Sequence, residues 1–460
     1  MTLTDSSDPR PVHFVGVAGA GMQALAELLV KRGVRVSGCD ANPRATEDLS
    51  ALGISVVHGH SPDHLDGVRE VVVTSAMPKD HPELARARAL GIPVTRRAEA
   101  LGIAVRGGKL VGVAGTHGKT TTTVMTTSAL AAAGLQPTGI AGGRVAAWGG
   151  NLHYGLGQLF VVEADEYDRS FLALSPTVAV VTNMETDHLD IYRDLEDIRA
   201  TFSSFVRNAP AIVLCADDPG AASLDLPASS EVIRYGLNSP DARLIGRDVR
   251  ASGQAVSFAV FYDGHALGDV SLRVPGLHNV ENALAAIGAG LALGTTLEAM
   301  RDGLLQFGGV ERRFQYLCDV AGVTIIDDYA HHPTEIAATL QAARSSYPGR
   351  RLVAAFQPHL FTRTRDFCDD FGRVLCDADT VFLADIYGAR EKPIPGITSG
   401  MIAAAMQSAG RPVAWQGARS ELAEALASSV RESDVVITIG AGDITRTGAE
   451  LRERLQSRAR

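Results

Sequence analysis

A chain of 460 residues is long enough for about three domains at roughly 150 residues each. Hydrophobic residues make up 46% and charged residues 21%, which argues against a disordered or fibrous protein, and the formal net charge of −9 argues against nucleic acid as a partner. Five scattered cysteines predict neither a disulfide framework nor a zinc site. With no secretory signal or membrane-length apolar run, we expect a cytoplasmic protein without membrane insertion.

Three stretches of the chain alternate short apolar runs with helical patterns, which predicts an α/β protein built from three doubly wound units. The predicted domains are residues 1–107, 108–311 and 312–460. In the central unit, short alternating strands between Glu231 and Val274 predict an antiparallel patch beside the parallel sheet.

The first unit opens with a strand over Val12–Val17, a glycine turn and a helix from about Met22 to Arg32. The turn, Gly19–Ala24, fits the G-x-G-x-x-G/A pattern, and Asp40 ends the next strand. Such glycines let backbone amides approach a diphosphate at a positive helix end. The pattern therefore predicts a bound nucleotide diphosphate, either a nicotinamide dinucleotide or a UDP-sugar, and a tight turn without a ligand is the alternative.

The second unit opens with a strand over Leu110–Ala114 and a second glycine loop that leads into a helix at Lys119. Valine stands at position 113, where the strict phosphate-loop pattern has glycine. Gly115 and Gly118 still allow amides to line a phosphate, and Lys119 is one of only five lysines in the chain. We therefore predict an ATP site in which the Thr120 hydroxyl ligates magnesium.

Two later strands of this unit, over Leu159–Val162 and Thr177–Thr182, end in acidic or polar residues. Parallel strands present ligand-binding residues at their carboxyl ends, so Glu163 and His188 are candidates for the same phosphate and metal site. The neighbouring acids are predicted to be solvated helix starts: Glu166, Asp187 and Asp190.

The third unit places a histidine-rich segment after its first strand and a second histidine after the next. His331 and His332 precede a helix that begins at Pro333, and His359 is followed by Arg363. Because the segment has no H-E-x-x-H pattern or cysteine partner, we predict substrate contacts rather than zinc. For His332 a core or capping role is the alternative, and Asn279 is either a ligand or a simple helix cap.

Taken in order, these motifs resemble the Mur ligases of peptidoglycan synthesis over nearly the whole chain. The resemblance is carried by Gly16–Met22, Gly115–Thr120, Glu163–Glu166, His188, His278–Asn282, Arg312–Phe314, Asp328–Pro333, Gln357–His359 and Lys392–Gly396. It implies a Rossmann-like UDP-binding domain, a central phosphate-loop ATPase domain and a Rossmann-like C-terminal domain.

The resemblance also implies an activity and its reactants. It implies an ATP- and Mg2+-dependent ligase of the alanine-adding branch, which joins L-alanine to the carboxylate of UDP-N-acetylmuramate through an acyl phosphate, in a protein that is a monomer or weak homodimer. The implied catalytic residues are Lys119, His188, His331, His359 and Arg363, and the implied metal ligands are Thr120, Glu163 and His188. The implied ATP-binding residues are Gly115, Thr116, His117, Gly118, Lys119, Thr120, Thr121, Asn279, Asn282, Arg313 and Asp328. The implied UDP-sugar-binding residues are Gly19, Ala20, Gly21, Met22, Asp40, Ser75 and Ala76.

Two departures from the family and three alternatives stay open at this point, and one of the departures is Gly388, which stands where the family has proline. Several Mur ligases carry a carbamoylated lysine after the Asp-His motif, and residues 189–210 contain no lysine. A nicotinamide-dependent oxidoreductase would explain Gly19, Gly21 and Asp40 but not the Lys119 loop. A regulatory nucleotide-binding module would bind ATP without chemistry, and a recycling ligase that adds a whole tripeptide would share the histidine motif.

Overall fold

The computed structural model describes residues 3–42, 49–74, 77–78, 80–389 and 391–458. The described chain is α/β and contains three sheets. The first sheet has five parallel strands in the order β3-β2-β1-β4-β5. Its strands are β1 (Val12–Val15), β2 (Val36–Asp40), β3 (Ser55–His58), β4 (Glu70–Val73) and β5 (Val94–Arg96), and its helices are α1 (Ala20–Lys31), α2 (Pro82–Leu90) and α3 (Arg97–Ala104). The strand order reverses at β1, which places the first glycine loop at a topological switch point.

The second sheet has ten strands in the order β15-β14-β13-β12-β11-β10-β6-β9-β7-β8. Its strands are β6 (Lys109–Ala114), β7 (Thr138–Val145), β8 (Gly150–His153), β9 (Leu159–Glu163), β10 (Val178–Val181), β11 (Ala211–Cys215), β12 (Glu231–Gly236), β13 (Leu244–Ser252), β14 (Ala255–Tyr262) and β15 (His265–Leu272). The accompanying helices are α4 (Lys119–Ala132), α5 (Leu195–Val206), α6 (Pro219–Ala222), α7 (Leu277–Ala292) and α8 (Leu297–Gln306). Strands β6, β9 and β10 are central and parallel, so their carboxyl ends meet at one edge.

The predicted antiparallel patch is correct only in part. Strand β12, at its predicted start, pairs parallel with both β11 and β13. The strands β13, β14 and β15 are neighbours joined by two-residue turns, a connection that only antiparallel strands can make. The sequence also did not predict the antiparallel pair of β7 and β8 at the opposite edge.

The third sheet has six strands in the order β16-β17-β21-β18-β19-β20. Its strands are β16 (Gln315–Val320), β17 (Val323–Asp328), β18 (Leu352–Phe356), β19 (Thr380–Ala384), β20 (Trp415–Gly417) and β21 (Val435–Ile439). Its helices are α9 (Pro333–Ser346), α10 (Phe361–Leu375), α11 (Gly400–Ser408), α12 (Arg419–Ser429) and α13 (Thr445–Arg458). All neighbours pair in parallel except the edge pair β16 and β17.

The chain forms two compact units. The first comprises Met1–Asp248, Phe258–Val270 and Val280–Gly308, and the second comprises Val249–Ser257, Ser271–Asn279 and Gly309–Arg460. The first sheet and the parallel part of the second share the first unit and one continuous core, which includes Phe14 of β1 and Phe160 of β9. The third sheet has its own apolar layers around Phe356 and Phe382. The predicted α/β fold class is confirmed.

Candidate functional site

The second glycine loop connects β6 to α4, and its two key glycines cannot carry a side chain. Gly115 has φ +146°, and a Cβ there would lie 1.9 Å from the Thr182 Oγ1 atom. Gly118 has φ +79°, and its Cβ would lie 2.6 Å from the Asn282 Oδ1 atom. These backbone conformations and close approaches require glycine, so the loop pattern predicted from the sequence has a direct structural reason.

The end of β10 holds this loop in place. The Asn183 Oδ1 atom accepts a hydrogen bond from the His117 amide at 2.7 Å, and the Thr182 hydroxyl donates to the His117 carbonyl at 2.6 Å. The Glu185 amide donates to the Thr116 hydroxyl at 2.9 Å. The polar residues that follow β10 therefore hold the loop backbone in place through hydrogen bonds. This preorganises the loop amides for an anionic ligand.

Lys119 lies at the start of α4 and is paired with Glu166. The Lys119 Nζ atom donates to the Glu166 Oε1 atom at 2.8 Å and to the carbonyls of Gly115 and Thr116 at 2.5 and 3.0 Å. Burial alone would lower the pKa of Lys119, but the neighbouring carboxylates, Glu166 first, outweigh it and raise the pKa. Lys119 is therefore a fixed ammonium at the phosphate loop.

The prediction of a solvated helix start is wrong for Glu166, which is only 3% exposed, and for Asp187, which is also buried. Asp190 is exposed to solvent. Burial would raise the pKa of Glu166, but Lys119 and then His188 hold it below its usual value. The His188 Nε2 atom lies 3.6 Å from the Glu166 Oε1 atom. Glu166 thus lies next to two of the candidate catalytic residues, Lys119 and His188. The spacing of the residues in the sequence did not indicate this role.

Glu163 ends β9 beside Thr120, as predicted. The Thr120 hydroxyl donates to the Glu163 Oε1 atom at 3.0 Å, and the Gly142 amide donates to the Oε2 atom at 2.5 Å. Burial raises the pKa of Glu163. A hydroxyl and a half-buried carboxylate next to the predicted phosphate loop are the hard oxygen donors that Mg2+ prefers, so these residues fit a magnesium ion. His188, a nitrogen donor held on Glu166, stays a prediction as a metal ligand.

The first glycine loop and the Glu163 carboxylate line one cavity of about 290 Å³. Its walls are Gly16, Gly19, Ala20, Gly21, Met22, Thr74, Arg97, Leu101, Ile140, Ala141, Gly142, Glu163 and Asp165. The predicted diphosphate motif and the predicted magnesium ligand Glu163 therefore face the same space.

Arg97, a residue that the sequence analysis missed, lies between the first glycine loop and Asp165. Its Nη1 atom lies 3.0 Å from where a Cβ of Gly21 would be, and its Nη2 atom lies 3.8 Å from the Asp165 Oδ2 atom.

Asp40 is one of the expected UDP-sugar contacts. Its carboxylate accepts a hydrogen bond from the Ala18 amide at 2.9 Å and so holds the first glycine loop, and a contact with a ribose stays a prediction. Ser75 and Ala76, the other expected UDP-sugar contacts, lie outside the described residues.

The remaining ATP-binding candidates of the first unit are buried around α4. Thr121 is buried within the helix, and Asn282 accepts a hydrogen bond from the Thr122 hydroxyl at 3.0 Å. Asn279 belongs to the second unit, where its side chain donates to the Pro275 carbonyl at 2.6 Å.

In the second unit, the end of β17 forms a compact ionic cluster. Asp328 accepts hydrogen bonds from the amides of Phe314 and Ala330 at 2.8 and 2.7 Å, and burial raises the pKa of Asp328 to about 6. The guanidinium of Arg313 lies 5.1 Å from the centre of the Tyr329 ring. Arg313 and Asp328, both predicted to contact the nucleotide, are therefore neighbours.

Three histidines of the second unit lie just after β17 and β18. The rings of His331 and His359 lie 6.0 Å apart, and the His331 amide donates to Glu335. His332 accepts a hydrogen bond from the Thr334 amide at 3.4 Å, which confirms its capping role. Arg363 on α10 is only 6% exposed, so it is not a surface arginine.

Three family models cover the chain in order. The Mur ligase family catalytic domain matches residues 11–109, the Mur ligase middle domain residues 113–290, and the Mur ligase glutamate ligase domain residues 312–442. A UDP-N-acetylmuramate–L-alanine ligase from Salinibacter ruber is 44% identical over 97% of this chain and 95% of its own. The chain belongs to the Mur ligase family.

Two further relatives agree with this placement. A UDP-N-acetylmuramate–L-alanine ligase from Acidothermus cellulolyticus is 47% identical over 94% of this chain and 91% of its own. The crystal structure of a UDP-N-acetylmuramate–alanine ligase from Thermotoga maritima superposes with a TM-score of 0.83 at 31% identity and covers 98% of this chain and 100% of that one. The family resemblance seen in the sequence is confirmed. In the described parts of this Mur ligase chain, no helix is both long and apolar enough to span a membrane.

Proposed function

We propose that this Mur ligase joins L-alanine to the carboxylate of UDP-N-acetylmuramate with cleavage of ATP to ADP and phosphate. The observation that carries the proposal is the cavity shared by the diphosphate loop at Gly19–Met22 and the Glu163 carboxylate. A sugar nucleotide held by the first glycine loop would extend past Glu163 toward the phosphate loop at Gly115–Thr120. The names of the similar enzymes from Salinibacter ruber and Acidothermus cellulolyticus support the same substrates.

The chemistry follows from the charges that meet at this place. A carboxylate is a poor electrophile, so its oxygen first attacks the γ-phosphorus of ATP, and ADP leaves with the electron pair of the broken P–O bond. The amine of alanine then attacks the carbonyl carbon of the acyl phosphate, loses a proton, and expels phosphate. The first step brings two anions together, which the Lys119 ammonium and the loop amides permit by stabilising the charge of the transferring group.

Magnesium supports this step as the second cofactor of the proposal. Thr120 and Glu163 would hold the ion, which when bound neutralises charge on the ATP phosphates. Glu166 positions Lys119, because it accepts the ammonium's hydrogen bond from a buried site. The same carboxylate orients His188.

In the second unit, we propose that Arg313 and Asp328 contact the nucleotide and that His331, His359 and Arg363 contact the amino acid and the acyl phosphate. The buried guanidinium of Arg363 supports this, because its planar donor fork matches a carboxylate or phosphate. The protein acts on small molecules, and we propose a cytoplasmic monomer or weak homodimer.

The test is phosphate release from ATP and magnesium by the purified protein with UDP-N-acetylmuramate and a series of amino acids. The proposal predicts release that depends on both UDP-N-acetylmuramate and L-alanine, with one amide formed per phosphate. Release that requires a tripeptide instead of alanine would identify a recycling ligase. Binding of NADH without ATP cleavage would identify an oxidoreductase, and ATP binding without phosphate release a regulatory module.

A further inference from the structure

The first sheet carries a buried group of polar side chains that the proposed reaction does not use. His13 lies on β1, Cys39 on β2, His64 after β3 and Glu83 on α2. His13 is 1% exposed, and Cys39 and Glu83 are both 0% exposed. Four side chains with metal-binding atoms, far apart in the sequence, thus converge inside the first unit.

The atoms of this group have the separations of a metal site. One ligand atom from each of His13, Cys39, His64 and Glu83 lies within 4.8 Å of all the others. The Glu83 Oε1 atom is 3.0 Å from the His64 Nδ1 atom and 3.2 Å from the Cys39 Sγ atom. Zinc bonds of about 2.0–2.3 Å in a tetrahedron separate neighbouring ligand atoms by roughly 3.3–3.8 Å, so small side-chain shifts suffice.

His13 provides an independent sign of a ligand. Its Nδ1 atom lies 2.9 Å from the Ser37 hydroxyl, which leaves the Nε2 atom for a second partner. That Nε2 atom is buried and has no hydrogen-bond partner among the described residues. Buried imidazole nitrogens normally have a partner, and a metal-ligating histidine characteristically uses its other nitrogen as His13 does.

We infer that His13, Cys39, His64 and Glu83 form a zinc-class transition-metal site in the first sheet, separate from the ATP site. One thiolate, one carboxylate and two neutral imidazoles carry a charge of −2, which a divalent ion cancels in this buried place. The thiol proton of Cys39 leaves to solvent when the metal binds. The inference is independent of the proposed ligase function.

The protonation of the group agrees with this assignment. Burial lowers the pKa of His13 to about 4, so its imidazole is neutral and able to ligate at physiological pH. Burial and the nearby Glu83 raise the pKa of the Cys39 thiol. Without a metal the thiol is therefore protonated, and metal affinity rises with pH.

Two further histidines surround the group. The His60 Nδ1 atom lies 3.2 Å from the Cys39 Sγ atom and 3.6 Å from the Glu83 Oε2 atom, and the His81 Nδ1 atom lies 3.7 Å from that same oxygen. Both imidazoles thus lie close to the Glu83 oxygen that does not face the metal, at distances longer than a hydrogen bond. The Ser61 amide donates a hydrogen bond to the Glu83 Oε1 atom at 3.2 Å, and contacts of this kind orient a ligating carboxylate.

The proposed metal site is connected to the start of the first glycine loop through the backbone of Cys39. The Cys39 carbonyl accepts hydrogen bonds from the amides of Gly16 and Val17 at 2.9 and 3.1 Å. A metal that fixes Cys39 therefore also fixes the start of the loop that is proposed to hold the sugar nucleotide. The metal is structural in this account and touches no reacting atom.

Cobalt(II) tests the inference, because a cobalt–thiolate bond gives an intense near-ultraviolet charge-transfer band that oxygen ligands do not give. The full-length protein, stripped with a chelator, is titrated with Co2+ and then with Zn2+. We expect the band to saturate at one equivalent of cobalt and to disappear when zinc displaces it. The ATP site near Thr120 and Glu163 contributes no cysteine and hence no such band.

Variants assign the band to this site. Cys39→Ser should abolish it, His64→Gln should weaken cobalt binding at least tenfold, and Cys368→Ser on α10 should leave it unchanged. A wild-type protein without the band, or a band that survives in folded Cys39→Ser protein, would overturn the inference. The wild-type titration decides the matter even if Cys39→Ser does not fold, and the result does not depend on ligase activity.

Discussion

At the scale of single residues, the ion pair of Lys119 and Glu166 connects the proposed catalytic role of Lys119 with the stability of the fold. Lys119→Met should raise the activation barrier by about 3 kcal/mol or more, at least a hundredfold in turnover, because a charge at the transferring phosphoryl group is lost. It should also lower the melting temperature, because Glu166 keeps its charge in a site that is 3% exposed.

Phosphate release and thermal unfolding measure both effects. The matched control is Lys109→Met, since Lys109 is exposed at the start of β6 and should tolerate the change. Turnover near the wild-type rate in folded Lys119→Met protein would show that this lysine does not face the reacting phosphate.

Arg363 and Arg365 lie two positions apart on α10 and differ in burial. Arg363 is 6% exposed, whereas Arg365 is exposed and pairs with Asp366. Arg363→Lys keeps the charge but loses the planar donor fork. We expect ligation and apparent alanine affinity to fall at least tenfold while ATP affinity is kept, and Arg365→Lys to change neither. Equal behaviour of the two variants would remove Arg363 from the proposed amino-acid site.

Glu281 on α7 gives the protein a predictable pH dependence. Burial, with repulsion from Asp217 and Asp218, raises the pKa of Glu281 from 4.5 to about 7. A carboxyl group whose pKa is higher in the folded chain is protonated on folding, so its ionisation costs stability. The cost is absent below about pH 4.5 and complete above about pH 7.

Glu281→Gln should therefore gain stability relative to wild type as the pH rises from 5 to 8, by roughly 1–3 kcal/mol. Melting temperatures of both proteins across this range measure the effect. The difference between them should be small at pH 5 and largest at pH 8. Parallel profiles would mean that Glu281 ionises normally.

At the scale of elements, two glycines with the same φ angle allow the cost of backbone strain to be distinguished from an effect on ATP binding. Gly118 and Gly134 both have φ +79°, but a Cβ at Gly118 would lie 2.6 Å from the Asn282 Oδ1 atom, whereas one at Gly134 meets nothing within 4 Å. Both alanine variants should lose about 1 kcal/mol or more of stability from the strained backbone.

Only Gly118→Ala should weaken ATP binding, by at least tenfold, because it displaces Asn282 and the loop amides. Calorimetric titration with ATP on both variants measures this. Equal ATP affinities for Gly118→Ala and Gly134→Ala would contradict the assignment of the phosphate loop.

The strand–loop–helix segments could be predicted because their signals are local. The helix that begins at Lys119 has the predicted start, and the strands predicted over Leu110–Ala114 and Leu159–Val162 lie within β6 and β9. Contacts between distant residues could not be predicted. Glu166 is 47 positions from Lys119, and its burial depends on how β9 and the following turn pack. Arg97 and the buried cluster around Glu83 are likewise assembled only by the sheet.

At the scale of the whole molecule, alternation of strands and helices was enough to predict three α/β sheets. It could not predict the antiparallel partners β8 and β16 at their edges, since pairing direction depends on connections rather than on residue pattern. The predicted domain limits at residues 107 and 311 stay predictions. What the fold adds for function is one cavity in which the first glycine loop meets the Glu163 carboxylate, which is more than 140 positions away in the sequence.

The central claim is that a substrate carboxylate in this cavity attacks ATP directly. UDP-N-acetylmuramate labelled with oxygen-18 in its carboxylate tests it, with the released phosphate analysed by mass spectrometry. Because the acyl phosphate forms through a carboxylate oxygen, the account predicts one labelled oxygen in each phosphate for each amide formed with L-alanine. Unlabelled phosphate would show that water or another group attacks ATP and would contradict the account.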